Sequence, residues 1–211
     1  MSLIINNIIA GEDHLAVWHV TESLEELTER FFGKTPKGEN WETYNALKLD
    51  KVKKQWLATR LAIRTISNSD PEITYDEHGA PWIQIEGWEL SISHSAEWIA
   101  VLLSKNSMIG IDLQAHNSKI TNIVNKFTHQ TEYNHWLENE SIDYLHALWT
   151  IKEAVYKCFK HSQAFKQIQI TSKWPFASAL VNCTVTRENR TYNFMVEHQK
   201  IGSFYLSHVR L

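Results

Sequence analysis

The sequence predicts an α+β fold of two similar-sized halves. Three observations carry this. Short segments alternating apolar and polar residues recur throughout the chain. Each half also contains one long stretch with apolar residues at helical spacing, so strands and a long helix occur on both sides of the midpoint. Finally, 211 residues suit one larger domain or two small packed halves. The polar stretch Ser104–Ser107 divides them, giving an N-terminal half of residues 1–105 and a C-terminal half of residues 106–211.

Leu3–Ile9 and Leu15–Val20 read as two strands joined by the polar turn Gly11–His14. Ser23 with Glu26 forms a capping box, and Leu24, Leu27, Phe31 and Phe32 give the following short helix an apolar face. Residues 33–39 form a loop with two glycines and a proline, and a long helix is predicted from Asn40 to Ile66, stopped by Asp70-Pro71. Short strands follow at Ile73–Tyr75, Pro81–Ile85, Glu89–His94 and Trp98–Leu103, with Asp76–Gly79 as the first turn. Met108–Leu113 opens the second half as a strand. Helices are predicted near 118–127, 129–138 and 141–160, then strands near 166–171, 178–187, 191–199 and 203–210.

Composition excludes several classes. With 21 basic and 24 acidic side chains the net charge is −3, unlike a dedicated nucleic-acid binder. Cys158 and Cys183 form neither a disulfide framework nor a CxxC pair, which favours a reduced compartment. The first twenty residues lack a basic n-region and are interrupted by Asn, Glu and Asp, so they do not read as a signal peptide. No run of ~18 apolar residues occurs. A soluble cytoplasmic protein without a membrane partner is the expectation. The nine tryptophans read as core and seam fillers.

Three constellations carry chemistry. In Met108-Ile109-Gly110-Ile111-Asp112-Leu113-Gln114 a period of two puts Gly110, Asp112 and Gln114 on one face. Asp112 and Gln114 would lie ~7 Å apart, with Gly110 leaving room for something bulky. That is half of an oxygen-ligand site for a hard cation, or else an edge strand with two solvated polar residues. In the helix 141–160, the apolar stripe Ile142, Leu145, Leu148, Trp149, Val155, Tyr156 and Phe159 has Lys152 at its centre. A lysine there is costly unless it meets an anion or a partner. Glu153 and Lys157 border the stripe. They form either a surface pair worth ~0.3–0.5 kcal/mol or a metal ligand beside phosphate binders. In Leu90-Ser91-Ile92-Ser93-His94-Ser95, His94 continues the face of Leu90 and Ile92 at a strand end, as a structural histidine or a ligand.

No Walker A loop, GxGxxG, HExxH, EF-hand loop or nucleophile elbow is present, and the eleven histidines lack zinc spacing. Lysines 48, 51, 53 and 54 read as a solvated face. Residues 150–175 hold Lys152, Lys157, Lys160, Lys166 and Lys173 against Glu153, a local +4 suited to an acidic partner or a polyphosphate.

In this order and spacing the segments resemble the 4′-phosphopantetheinyl transferase superfamily, in its Sfp-like, roughly double-length branch. Gly110-Ile111-Asp112-Leu113-Gln114 is similar to its G-[IV]-D-x-x motif, and Trp149 through Lys157 to its W-x-x-K-E-[AS]-x-x-K motif. Ile92-Ser93-His94-Ser95 is similar to its [IS]-S-H-S segment, Gly79-Ala80-Pro81 to its G-K-P element, and Trp56-Leu57-Ala58-Thr59-Arg60 to its N-terminal helix. The resemblance implies pseudo-twofold-related halves, each a small mainly antiparallel sheet packed with a long helix, with the active site in the cleft between them. It implies Mg²⁺-dependent transfer of phosphopantetheine from coenzyme A to a serine of an apo acyl or peptidyl carrier protein, an acidic partner, as in holo-acyl-carrier-protein synthases. Adenosine 3′,5′-bisphosphate would be released.

By the same resemblance Asp112 and Glu153 are metal ligands, with Mn²⁺ as an alternative to Mg²⁺, and Gln114 joins them directly or through a water. Glu153 and Lys157 are the catalytic pair, Glu153 as base. Ser93, His94, Gly79, Ala80, Pro81, Lys152, Lys157 and Arg60 contact coenzyme A. Two departures stand out: Gln114 replaces an acid common in this branch, and Ala80 replaces the G-K-P lysine, with Arg60 or lysines 51–54 as compensation. They motivate an alternative, a non-catalytic relative that binds coenzyme A or a carrier. One cleft shared by two halves lets a monomer work.

Overall fold

The structure is a computed structural model that describes residues 3–8, 13–35, 37–105, 107–160, 164–187 and 190–211. Ile9, Gly11, Glu12, Pro36 and Asn106, which belong to predicted segments, lie outside them. The fold is α+β with antiparallel sheets.

In the first half β1 (Leu3–Ile8) pairs with β2 (His14–His19). The Ser23–Glu26 capping box opens α1 (Leu24–Phe32): the Glu26 backbone N–H donates to Ser23 Oγ at 3.1 Å, and the Ser23 N–H to the Glu26 carboxylate at 2.7 Å. The predicted long helix is two helices, α2 (Glu39–Ala46) and α3 (Asp50–Ser67). Leu47 and Leu49 are extended between them. The break turns α2 so that Trp41, Tyr44 and Leu47 pack on the first core with Phe32 and Trp56. Apolar burial there outweighs the helical continuity that a segment without Gly or Pro suggests. Asn68, in the left-handed region at φ 52°, ends α3 before Asp70-Pro71.

A small hairpin follows, β3 (Ile73–Tyr75) with β4 (Pro81–Ile83). Then come β5 (Trp88–Ser95) and β6 (Trp98–Lys105), which complete a sheet of order β1-β2-β6-β5. One face of that sheet (Ala16, Trp18, Ile99, Val101 and Leu103) packs with α3 residues Leu57, Leu61 and Ile63. The opposite face (Leu15, Val17, Ala100 and Leu102) meets residues of the second half.

The second half begins with β7 (Ile109–Ala115). A 3-10 turn (Ser118–Ile123) follows, then α4 (Val124–Phe127), α5 (Gln130–Asn139) and the long α6 (Ile142–Cys158). Strands β8 (Ile168–Ile170), β9 (Leu180–Arg187), β10 (Arg190–Ile201) and β11 (Phe204–Arg210) complete a sheet of order β7-β11-β10-β9-β8. Helix α6 lays Ile151, Ala154, Val155 and Cys158 on Val181, Cys183, Val185, Val196 and Val209 of this sheet. Both cysteines are free and buried. Ile109, Ile111 and Leu113 of β7 join Leu206 against the first sheet, which leaves the other face of β7 to α6.

Candidate active site

The edge of β7 and the face of α6 create the site. Gly110 touches the helix backbone: a Cβ there would lie 1.8 Å from the Ala154 carbonyl oxygen and 2.7 Å from the Cys158 nitrogen. The bulky neighbour expected beside Gly110 is thus the helix itself. At this separation α6 side chains reach the next inward residue of the strand, Asp112.

Asp112 is 5% exposed. Its Oδ1 accepts from Lys157 Nζ at 2.8 Å and from Ser93 Oγ at 2.8 Å. Lys157 also donates to the Ile111 carbonyl at 3.0 Å. The ion pair of Lys157 therefore runs across to β7, and the solvated-strand alternative for Asp112 is set aside. Asp112 Oδ2 is buried with no hydrogen-bond partner. Such an orphaned oxygen costs about 1–3 kcal/mol or more when charged. Half-buried Glu153 stands close enough to feel it: burial first, then the Asp112 charge, push its carboxyl up to about 7 against the pull of Lys157. Two carboxylates, one with a free buried oxygen and one that resists ionisation, fit a hard cation. Among the described residues no group of three or more His, Cys, Asp and Glu could hold a metal unaided. Mg²⁺ needs no such group, because waters and substrate phosphates supply its remaining ligands.

The neighbouring segments border two cavities. One, about 220 Å³, is lined by Trp56, Thr59, Tyr75, Gly79, Pro81 and His94. The other, about 100 Å³, includes Gly79, Pro81, Trp82, Glu89, Lys157 and Lys160. Gly79 and Pro81 line both. Asp76 shapes this segment by accepting the His78 and Ala80 N–H groups at 2.9 and 2.8 Å, with Gly79 at φ 81° in the left-handed region. Ala80 itself is buried. His94 is exposed, yet partial withdrawal of its ring from water, with the charges of Lys157 and Lys51, holds its imidazole below the ordinary value. Arg60 is buried, stacked 3.7 Å from the centre of the Trp56 ring that lines the first cavity, and its Nη1 has no partner. Gln114 turns toward a further cavity of about 180 Å³, with Asn117, Lys119, His146 and Trp149. Its amide nitrogen is 3.5 Å from the Ala115 carbonyl.

Lys152 corrects the sequence reading. It lines neither of the cavities at Gly79–Pro81 but is fully buried among α4, α5 and α6. Its Nζ pairs with Glu132 at 2.5 Å and donates to the Phe127 carbonyl at 2.9 Å. The anion that a stripe lysine requires is thus a protein side chain, and Lys152 drops out of the basic stretch. Glu132 was missed because it lies twenty residues away on another helix; only the lysine in an apolar stripe signalled that a partner existed. Glu132 also accepts the N–H groups of His129 and Ile170, at 2.7 and 3.3 Å. Lys152→Met leaves that carboxylate buried without its cation, at an expected cost of about 3 kcal/mol. Adding Glu132→Gln removes the second charge and recovers part of the loss. Urea unfolding of the two single variants and the pair measures both effects. Lys160, which the sequence places only in the basic stretch, has its Nζ 4.1 Å from the centre of the Trp82 ring and 3.1 Å from Glu89.

A model of the 4′-phosphopantetheinyl transferase superfamily matches residues 108–205, the segment that contains Asp112, Glu153 and Lys157. That segment, a little under half of the chain, places residues 108–205 in the 4′-phosphopantetheinyl transferase superfamily. Among named relatives, 4′-phosphopantetheinyl transferase AcpT of Salmonella typhimurium is 26% identical over 135 residues, covering 61% of this chain and 69% of that protein. AcpT of Escherichia coli (strain K12) is 25% identical over 138 residues, 62% of this chain and 70% of that protein. Sfp of Bacillus subtilis is 30% identical over 96 residues, 44% of this chain and 42% of that protein. These relatives support a transferase of this superfamily and fall in two branches. Among the described residues no helix is long and apolar enough to cross a membrane.

Proposed function

We propose that this protein transfers 4′-phosphopantetheine from coenzyme A to the serine hydroxyl of an apo acyl or peptidyl carrier protein, as a holo-carrier synthase dependent on Mg²⁺ or Mn²⁺. The observation that carries the reading is the buried, unpartnered Asp112 Oδ2 beside a Glu153 pushed up to about 7. Asp112 and Glu153 would hold the cation, which supplies charge neutralisation at the pyrophosphate when bound. Gln114, whose amide oxygen or a water on it could complete the ligands, is the third candidate. Lys157, already held against β7, offsets negative charge growing on the bridging oxygen. Glu153 accepts the serine proton as the serine oxygen bonds to the β-phosphorus, and the bond from phosphorus to the bridging oxygen breaks. Adenosine 3′,5′-bisphosphate departs.

The two cavities around Gly79–Pro81 would take the nucleotide, with His94 on one side and Lys160 on the other. Arg60 stacks on Trp56 and would act on the nucleotide through it. Residues 1–105 and 106–211 would be the two halves of the enzyme, both contributing to the site within one chain, so that a monomer suffices. The test is intact mass of an apo carrier incubated with the protein, coenzyme A and Mg²⁺. A gain of one phosphopantetheinyl group that chelator abolishes is expected. Coenzyme A binding without transfer to acyl and peptidyl carriers alike would favour the non-catalytic relative.

A further inference from the structure

We infer that Ser93 is a positioning residue for Asp112, fixing which carboxylate oxygen faces the cation, and that it does not contact coenzyme A. The inference rests on the reading of Asp112 as a cation ligand. It starts from the seam between the two sheets. Edge strands β5 and β7 lie side by side, and serine side chains do the joining. The N–H groups of Ile111, Leu113 and Ala115 donate to the hydroxyl oxygens of Ser91, Ser93 and Ser95 at 3.0, 3.1 and 2.9 Å. The alternation of serines along β5 matches the alternation of outward N–H groups along an antiparallel edge strand.

Ser93 does more than its two neighbours. Its hydroxyl hydrogen goes to Asp112 Oδ1 at 2.8 Å; the other acceptor within reach, the Leu113 carbonyl, is farther at 3.5 Å. A hydroxyl has one proton to give, and phosphate oxygens at neutral pH are mainly acceptors. With that proton committed and the residue 6% exposed, Ser93 has nothing left to offer a phosphate. Its effect falls on Asp112 instead. Ser93 and Lys157 together fill the two lone-pair directions of Oδ1, which fixes the rotation of the carboxylate and leaves Oδ2 as the free oxygen.

The test compares Ser93→Ala, Ser93→Thr and Ser91→Ala in the full chain. Mn²⁺ binding is followed by electron paramagnetic resonance with and without coenzyme A, and KM for coenzyme A is measured at saturating Mg²⁺. Ser93→Ala is expected to weaken Mn²⁺ about tenfold, the loss of one charge-assisted hydrogen bond, with KM for coenzyme A within twofold of the parent. Ser93→Thr keeps the hydroxyl and should restore Mn²⁺ affinity. Ser91→Ala removes an equivalent seam contact from the Ile111 N–H without touching Asp112, and should leave Mn²⁺ affinity unchanged. A tenfold rise in KM for coenzyme A with parental Mn²⁺ binding overturns the inference in favour of a phosphate contact. Equal loss of Mn²⁺ in Ser91→Ala and Ser93→Ala reduces Ser93 to a seam residue and also overturns it. If Asp112→Ala binds Mn²⁺ as the parent does, the reading of Asp112 has failed, a result separate from either.

Discussion

Glu153→Gln is expected to lower transfer to a carrier by about 10²–10⁴-fold and at the same time to make the metal-free protein more stable above pH 7. The two effects share one cause. Burial and the Asp112 charge hold the Glu153 carboxyl at about 7, against 4.5 for the ordinary side chain. Between those values the folded protein binds a proton that the unfolded chain has released. Stability therefore falls as pH rises through the window, and the penalty is complete above 7. Glutamine keeps the shape and removes the charge. Discounted for the partial exposure of the group, the gain at pH 8 should be roughly 1–2 kcal/mol, a few degrees in Tm, and nothing at pH 4. Thermal melts of chelated parent and variant at both pH values measure it. Parental activity in a folded Glu153→Gln protein would remove Glu153 from the mechanism, and equal melting at pH 8 would remove the electrostatic account of its environment.

Gly110→Ala should be the most damaging single methyl in the second half. The added Cβ would enter the Ala154 carbonyl at 1.8 Å and crowd the Cys158 nitrogen and the Ala154 carbonyl carbon at 2.7 and 2.9 Å. All three are backbone atoms of a buried helix, so no side chain can swing aside. Helix α6 has to withdraw from β7, at a cost above the ~1–3 kcal/mol usual for an overpacked core. That withdrawal also separates Lys157 and Glu153 from Asp112. The expected result is little folded protein at 37 °C, and no metal-dependent transfer from what does fold at low temperature. Circular dichroism melts and the carrier mass assay report the two losses separately. A stable, active Gly110→Ala protein would mean that the close approach of helix and strand is not needed.

What could be read from the chain was whatever local periodicity records. The two-residue period of 109–114 put Gly110, Asp112 and Gln114 on one face, and Gly110 and Asp112 do turn to the helix. The Ser23–Glu26 box and the apolar face of Leu27 and Phe31 fixed α1. The break at Leu47–Leu49 was invisible because no glycine or proline marks it; the reason for it, an aromatic cluster with Phe32 and Trp56, is assembled from distant residues. The partner of Lys152 and the seam role of Ser91, Ser93 and Ser95 were hidden for the same reason. Each depends on an element that sequence spacing alone does not bring near.

A pair of strands joined by carbonyl oxygens holds whatever its side chains are, since every residue brings a carbonyl. The join between β5 and β7 has no such indifference. There the protection of the Ile111, Leu113 and Ala115 amides from exchange with solvent deuterium is set by three hydroxyls. Losing one serine should release one amide and leave its neighbours protected. The hydrogen bonding of this seam, beside the apolar packing under it, is thus spelled out letter by letter, and its strength can drift, or be tuned, in single-residue steps that an ordinary sheet does not permit.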